Sequence, residues 1–260
     1  MESAQEYWSA KAALDWQIEM GADEAIADAP IDRYALQDKK PAPKPAATAT
    51  PAPPAPTPVD EVDPVAVATL AASAAQDLDG LRAALGAFEH CALKSAARNL
   101  IFSEGVAGAP VMIITDAPDR DDDRAGTMFA GASGILLDKM LGAIGLGRSG
   151  DSPVYIAPVL PWNPPQNRDP STQERAMMQP FLDRHIALAA PKLIVLMGNS
   201  PCQMLIGKSG MTRLRGGWTE VAGIPALPMF APAHLMQHGA AKRDAWADLL
   251  ALKARLRDLA

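Results

Sequence analysis

The segment VMIITDAP, residues 111–118, joins a short apolar run to a polar turn. Its first four residues are apolar at consecutive positions, which is typical of a strand buried on both faces of a parallel sheet. Three more runs of this kind follow, at residues 154–156 continuing towards 160, at 193–197 and at 224–230. Together the four runs predict four buried parallel strands.

Helical patterns separate these runs, at residues 134–146, 172–190, 201–208 and 241–259. Alternation of strands and helices predicts an α/β fold, a three-layer α/β/α sandwich with a four-stranded parallel sheet. Ligands of such sheets bind beyond the carboxyl ends of the strands. The loops expected there are residues 116–129, 161–170 and 231–239. The acidic run at 119–123 within the first loop predicts a solvated turn.

Composition restricts the classes of function. The net charge is −6 and the pI about 5.2, whereas proteins that bind DNA by non-specific phosphate contacts are usually basic. The two cysteines, Cys91 and Cys202, are too few for a disulfide framework. Together with an N-terminus that lacks the pattern of a signal peptide, they predict a cytoplasmic protein with reduced thiols.

Proline content divides the chain. Residues 41–64 hold nine of its 24 prolines, which predicts a disordered Pro/Ala-rich linker over residues 38–66. The domains expected are an N-terminal partner-binding segment at 1–37 and a long α/β domain at 67–260. Apolar residues spaced four apart predict a short helix that ends at Gly21. We expect the partner-binding side chains to be Trp8, Leu14, Trp16, Gln17, Ile18 and Met20. The alternative is that this helix packs onto its own domain.

Short sequence blocks between Phe88 and the C-terminal helix carry a family resemblance. They are Leu93, Arg98-Asn99, Glu104-Gly105, Asp116-Ala117-Pro118, Phe129-Ala130-Gly131, Gly134, Leu136-Leu137, Val154-Tyr155-Ile156, Pro164-Pro165, Asn167-Arg168, Ile194 to Gly198, Arg215-Gly216 and Trp218. In this order and spacing they resemble the family 4 uracil-DNA glycosylases, an iron–sulfur type found in bacteria and archaea. The resemblance implies the uracil-DNA glycosylase fold for residues 67–260.

The chemistry that the resemblance implies is cleavage of the N-glycosidic bond of a uracil flipped out of the DNA stack. It uses a polar residue near the sugar, an amide at the base edge, an aromatic ring under the base and a histidine at the leaving group. The matching positions hold Asp116 in the turn with Ala117 and Pro118, then Pro158, Phe129 and Ala231. Proline and alanine offer no side-chain donor, so the pocket is expected to be vestigial, without catalytic residues.

His234 is the alternative donor. It lies three residues beyond Ala231. A shift of that size at the end of a strand changes the direction of the side chain, which argues against substitution.

The resemblance also implies a [4Fe–4S] cluster held by four cysteines. The matching positions are Phe88, Cys91, Trp162 and Met178. One thiolate cannot hold such a cluster, and three bulky apolar residues would fill its volume. We therefore expect no cofactor, with the iron–sulfur cluster lost, and no metal.

A second resemblance is to the psi subunit of the bacterial DNA polymerase III clamp loader, a catalytically silent protein with a glycosylase-like fold. The segment Trp16-Gln17-Ile18-Glu19-Met20-Gly21 is similar to its N-terminal anchor peptide. These features predict a pseudoenzyme that serves DNA replication or repair through contacts with a clamp-loader or other replisome protein, with weak DNA binding.

The first alternative is an active family 4-like uracil-DNA glycosylase of base excision repair with an altered pocket, which uses Asp116 and His234. A further alternative is a module that flips lesions onto Phe129 without cutting.

Overall fold

The computed structural model describes residues 4–20 and 63–259. The chain divides into two compact units, Met1–Val59 and Asp60–Ala260. In the first unit, helix α1 (Ala4–Glu19) confirms the predicted N-terminal helix. The large apolar side chains of this helix, and that of Met20 directly after it, are 58–71 % exposed: Trp8, Leu14, Trp16, Ile18 and Met20. Gly21 and residues 38–62 of the predicted linker lie outside the described residues. Residues 64–66 correct the predicted linker boundary, because a helix capped by Asp63 begins at Pro64.

The second unit is built on a six-stranded mixed sheet. Its strands are β1 (Glu104–Gly105), β2 (Val111–Thr115), β3 (Val154–Pro158), β4 (Leu193–Met197), β5 (Thr219–Val221) and β6 (Ile224–Met229). The order across the sheet is β1-β3-β2-β4-β6-β5. The four central strands are parallel, as predicted, whereas β1 and β5 pair antiparallel at the two edges.

The two edge strands correct the prediction of a purely parallel, four-stranded sheet. β1 and β5 have only two and three residues, so neither produces an apolar run. β5 folds back onto β6 through Ala222 and Gly223, whose φ angles of 50° and 79° fit a two-residue hairpin turn. Because the turn is Ala-Gly and not the commoner Asn-Gly, the sequence signal for this hairpin is weak.

Helices pack around this sheet. Those of the second unit are α2 (Pro64–Ala74), α3 (Leu78–Ala87), α4 (Leu93–Ala96), α5 (Arg120–Ala125), α6 (Ala132–Ile144), α7 (Thr172–Ala189), α8 (Asn199–Ile206), α9 (Met211–Leu214), α10 (Pro232–Gln237) and α11 (Lys242–Arg257). Helices α2 and α3 contact α7, while α10 and α11 contact α6. The predicted α/β/α arrangement is confirmed.

The core explains why the strand prediction succeeds. Every residue of β2, β3 and β4 is buried, because helices cover both faces of the central sheet. Helix α7 begins at a capping box in which Ser171 and Glu174 exchange hydrogen bonds with each other's backbone N–H groups. Within residues 4–20 and 63–259, no helix is long and apolar enough to cross a membrane.

One buried polar contact ties α7 to β3. The Nε2 atom of His185 lies 2.7 Å from the hydroxyl oxygen of Tyr155. The ring of Phe102 stacks on the imidazole, with centroids 4.3 Å apart. Burial lowers the pKa of His185 to about 4, because the apolar surroundings disfavour the charged ring.

This burial makes the domain sensitive to acid. The folded-state pKa of His185 lies below its ordinary value of 6.5, so the unfolded chain binds the proton more tightly. The stability contributed by neutral His185 is therefore complete above pH 6.5 and falls as the pH drops towards 4, by on the order of 3 kcal/mol. We expect urea unfolding at pH 7, 5.5 and 4 to show this loss in the wild type and much less of it in His185→Gln.

The exposed His90 provides the control. His90→Gln should follow the wild type across the same pH range. Equal pH dependence of His185→Gln and the wild type would contradict the assignment.

Candidate active site at the carboxyl ends of the strands

Two cavities meet at Asp116, the residue that follows β2. The smaller, about 250 Å³, is lined by Asp116, Ala117 and Pro118 together with Arg168 and Asn199. The larger, about 420 Å³, has Asp116 and Asn199 on one side and residues of the loop after β6 on the other, among them Phe230, Ala231 and His234. Both cavities thus lie beyond the carboxyl ends of the parallel strands.

The Asp116 carboxylate is held at the N-terminus of α8. Its Oδ1 atom accepts a hydrogen bond of 2.9 Å from the backbone N–H of Ser200, in the first turn of that helix. Burial raises the pKa of Asp116, and the nearby charge of Asp169 raises it further. The bonds from Ser200 oppose this shift, as does the positive end of the helix dipole.

Gly198 makes this placement possible. It links β4 to α8 with φ 119° and ψ 175°, a conformation restricted to glycine. A Cβ atom at this position would collide with Oδ2 and Cγ of Asp116. The carboxylate therefore rests directly on the backbone of the turn.

His234 lies in the larger cavity with Asp116, contrary to expectation. Helix α10 begins at Pro232, directly after Ala231, so His234 follows Ala231 by nearly one helical turn and returns to the same side. Its ring stacks between Phe230 and His238, with centroids 4.6 and 4.3 Å away. Burial lowers the pKa of His234, and the charge of His238 lowers it further. A neutral imidazole at this place can donate one N–H.

Phe129 is held in a left-handed conformation between α5 and α6, with φ 56°. The carbonyl oxygen before it, on Met128, accepts a 3.3 Å hydrogen bond from Arg148. The backbone N–H after it, on Ala130, donates to Asp122 at 2.8 Å. Its own carbonyl packs against Gly134, where a Cβ would collide with it. The ring is buried, and it is not among the residues that line the two Asp116 cavities.

The acidic run is structural, which corrects the prediction of a solvated turn. Asp119 caps α5 by accepting from the N–H groups of Asp121 and Asp122, at 2.8 and 2.9 Å. Asp123 accepts from the backbone N–H groups of Arg98 and Asn99, at 3.0 and 2.9 Å. Asp122 accepts from the N–H of Ala130. Together these carboxylates connect α5 to the Arg98-Asn99 segment and to the loop at Ala130.

Pro158 lies at the expected edge of the sheet, paired with Thr115, the residue before Asp116, but it does not line the Asp116 cavities. It is the last residue of β3 and lines a separate apolar cavity of about 20 Å³, with Phe102, Phe181 and His185 among its neighbours. Residues 63–259 therefore bring Asp116, Ala117, Pro118 and Ala231 to adjacent cavities, with Pro158 at the end of the neighbouring strand.

Sequence reasoning missed Asn199. It is the first residue of α8 and lines both Asp116 cavities. Its position directly after an apolar strand and a glycine was the available signal.

The four positions that match cluster cysteines do not fit a [4Fe–4S] group. Phe88, Cys91, Trp162 and Met178 are 1–4 % exposed and belong to one apolar core. Phe88 packs edge-on against Phe181, three residues after Met178, with ring centroids 5.5 Å apart. Burial raises the pKa of Cys91, which favours the thiol over the thiolate that iron requires. Among the described residues, no group of three or more His, Cys, Asp or Glu side chains could hold a metal ion.

The α/β domain thus places the Asp116 carboxylate at the N-terminus of α8 and the His234 imidazole on the same cavity, beyond the carboxyl ends of its parallel strands. Residues 102–250 match the model of the uracil DNA glycosylase superfamily. Since this match covers more than half of the chain, the protein belongs to that superfamily.

Three relatives are named type-4 uracil-DNA glycosylases. The protein of Sulfurisphaera tokodaii is 36% identical over 131 residues, which cover 48% of this chain and 59% of the relative. That of Thermotoga maritima is 28% identical over 151 residues, which cover 57% of this chain and 77% of the relative. That of Archaeoglobus fulgidus is 34% identical over 130 residues, which cover 50% of this chain and 64% of the relative. The chain thus spans about three fifths of the length of the Sulfurisphaera protein.

These relatives overturn the hypothesis of a catalytically silent, psi-like accessory protein. Similarity to proteins named as glycosylases favours the alternative of an active enzyme with an altered pocket. The resemblance to a clamp-loader subunit has no support, and the partner role of the N-terminal helix stays a prediction.

Gly198 offers a direct test of the geometry. We expect Gly198→Ala to lower the free energy of unfolding by at least about 2 kcal/mol, because a Cβ there collides with Asp116 and the backbone conformation excludes alanine. In an Asp116→Ala background the collision is absent, so the same substitution should cost less. Urea denaturation of the four proteins measures the difference.

Gly142 on α6 is the matched control. It is exposed, and a Cβ there would meet nothing within 4 Å. Gly142→Ala should therefore raise stability by about 0.5–1 kcal/mol. Additive costs of Gly198→Ala and Asp116→Ala would show that the two residues are not coupled.

Proposed function

We propose that this chain is a DNA glycosylase that hydrolyses the bond between uracil and deoxyribose. The observation that carries the proposal is the placement of Asp116 and His234 on one cavity of about 420 Å³, in a member of the uracil DNA glycosylase superfamily. An enzyme of this kind reaches its target base only when the nucleotide is single-stranded or flipped out of the duplex. The proposed partner is therefore DNA that contains an unpaired uracil.

The reaction breaks the bond between C1′ of the sugar and N1 of the base, and the electron pair leaves with uracil. Positive charge develops on the sugar, and the ionised Asp116 stabilises it. The oxygen of a water molecule bonds to C1′, and Asp116 accepts the proton that this water loses. The uracil anion then takes up a proton from the solvent and Asp116 releases the proton that it accepted, which leaves free uracil, an abasic site and the ionised carboxylate.

His234 has the complementary role at the base. Its lowered pKa keeps the imidazole neutral, and a neutral ring can donate an N–H to the uracil oxygen on which negative charge grows. The residue lies one turn beyond Ala231, where the family's leaving-group histidine would stand. The site thus has a donor of the required type, on α10 instead of on the preceding loop.

The Arg168 side chain binds Glu174 of α7, which leaves it less available to bind a phosphate of DNA. Its guanidinium makes two hydrogen bonds to the carboxylate of Glu174, at 2.8 and 2.6 Å. This pairing lowers the pKa of Glu174 to about 2. Because the acidic chain offers no large excess of cations, we propose that DNA binding is weak and rests on few phosphate contacts.

Single-turnover cleavage of a single-stranded oligonucleotide with one uracil tests the assignment. We expect Asp116→Asn and His234→Gln each to lower the rate by about 10²–10³. Because the pKa of Asp116 is raised and the ionised form acts, the wild-type rate should rise with pH through a value above the ordinary 3.8, and Asp116→Asn should lack this rise.

Asp183, an exposed carboxylate on α7, provides the control, and Asp183→Asn should cleave like the wild type. The proposed activity is wrong if the wild type releases no uracil, or if Asp116→Asn retains the full rate.

We also propose that the domain folds without an iron–sulfur cluster, because one buried thiol and three apolar side chains occupy the positions of its ligands. Protein purified from iron-replete cells should be colourless, without absorbance at about 400 nm, and free of acid-labile sulfide. Its helical circular dichroism should match that of Cys91→Ala. A brown protein whose colour disappears in Cys91→Ala would overturn this proposal.

A further inference from the structure

Because residue 158, at the end of β3, is a proline, the site has no side-chain amide at the position where the family reads the base. A second amide lies close to the proposed reaction centre. Asn199 is the residue before Ser200, which binds Asp116, and it lines both cavities that contain Asp116. Its side chain is exposed to solvent in these cavities and is thus accessible to a ligand.

The orientation of this amide is fixed by the backbone. The Oδ1 atom of Asn199 accepts hydrogen bonds from the N–H groups of Met211, at 3.1 Å, and Gly210, at 3.4 Å. Two donors at one end of the amide require the carbonyl oxygen there and not the NH₂ group. Among residues 63–259 the NH₂ group has no hydrogen-bond partner, so Asn199 presents a donor and no acceptor to a ligand.

We propose that the NH₂ group of Asn199 reads the exocyclic oxygen of the target base, an inference that rests on the proposed function of this site. Uracil carries a carbonyl oxygen at C4, which accepts a hydrogen bond. Cytosine carries an amino group at the same carbon, which donates. A fixed donor therefore binds uracil and opposes cytosine, because two donors face each other and both lose their bonds to water.

This reading explains how the site tolerates proline at position 158. The discriminating donor comes from the helix that also holds Asp116, so base recognition and the reacting carboxylate share one rigid element. Asn199 is the first residue of this helix, directly before Ser200, whose N–H binds Asp116. Asn199 is thus a specificity-determining residue for bases with a keto oxygen at this carbon.

Asn199→Asp isolates the donor. Aspartate keeps an oxygen for the N–H groups of Gly210 and Met211, and replaces the NH₂ group with an acceptor. The probes are single-stranded oligonucleotides with one 2′-fluoroarabino uridine, which resists hydrolysis, or the matching cytidine. In fluorescence anisotropy the wild type should bind the uridine probe at least about tenfold more tightly, and Asn199→Asp should lose or reverse this preference.

Asn167→Asp is the control for the added charge. Asn167 lines the smaller cavity and has a left-handed φ of 53°, which aspartate tolerates. This variant should weaken both probes equally and keep the preference for uridine. Urea unfolding of Asn199→Asp should lie close to that of the wild type.

The outcomes separate this inference from the proposed activity. If the wild type cleaves uracil DNA and Asn199→Asp keeps the uridine preference, the role of Asn199 is wrong while the activity stands. If the wild type prefers uridine without cleaving, and Asn199→Asp loses that preference, the role of Asn199 stands and the hydrolysis is wrong. A wild type that binds both probes equally overturns the inference.

Discussion

The contact on which the site depends is the Asp116 carboxylate resting on Gly198 at the N-terminus of α8. The carboxylate needs a turn without a side chain beneath it, and the first N–H groups of α8 need an acceptor. Gly198 provides the turn without a side chain, and the carboxylate provides the acceptor. The contact thereby joins β2, β4 and α8. Asp116 lines both cavities, so the contact between its carboxylate and Gly198 positions a wall that the two cavities share.

The segment with Phe129 likewise has an unfavourable backbone conformation that neighbouring side chains hold in place. A residue with positive φ that is not glycine is strained, and this conformation persists only where the surrounding structure holds it. Here Arg148 holds the carbonyl before it and Asp122 holds the N–H after it. Arg148 also binds Glu104 and Asp138, at 2.7 Å each. One guanidinium thereby connects an edge strand, a helix and the loop of the buried ring.

The sequence predicts those parts of the fold that depend on continuous burial. The apolar runs locate the four central strands to within one or two residues, because both faces of the sheet are covered. The start of α7 at Thr172 is predictable for a similar reason, since a strong capping box precedes a long periodic pattern. The edge strands are too short to leave such a pattern.

The site was harder to predict, because its side chains depend on local turns. A strand end was expected around Ala231, whereas Pro232 begins a helix, and this difference alone decides where His234 points. Asn199 owes its orientation to N–H groups eleven and twelve residues further along the chain, a relation that no spacing rule reveals. The residues that match the family's motif were identifiable from the sequence. Of the residues proposed to replace them, His234 was recognised only as an alternative and Asn199 was missed.

The acidic run after Pro118 has a consequence for protein engineering. Three of its four carboxylates, those of Asp119, Asp122 and Asp123, accept hydrogen bonds from backbone N–H groups of α5, of Ala130 and of Arg98 and Asn99. Replacing these aspartates to make a basic groove for nucleic acid would remove the negative charge. It would also remove the hydrogen bonds that hold the loop in place. Lysines would be better introduced at exposed positions that carry no such bonds, since there a reversal of sign leaves the scaffold intact.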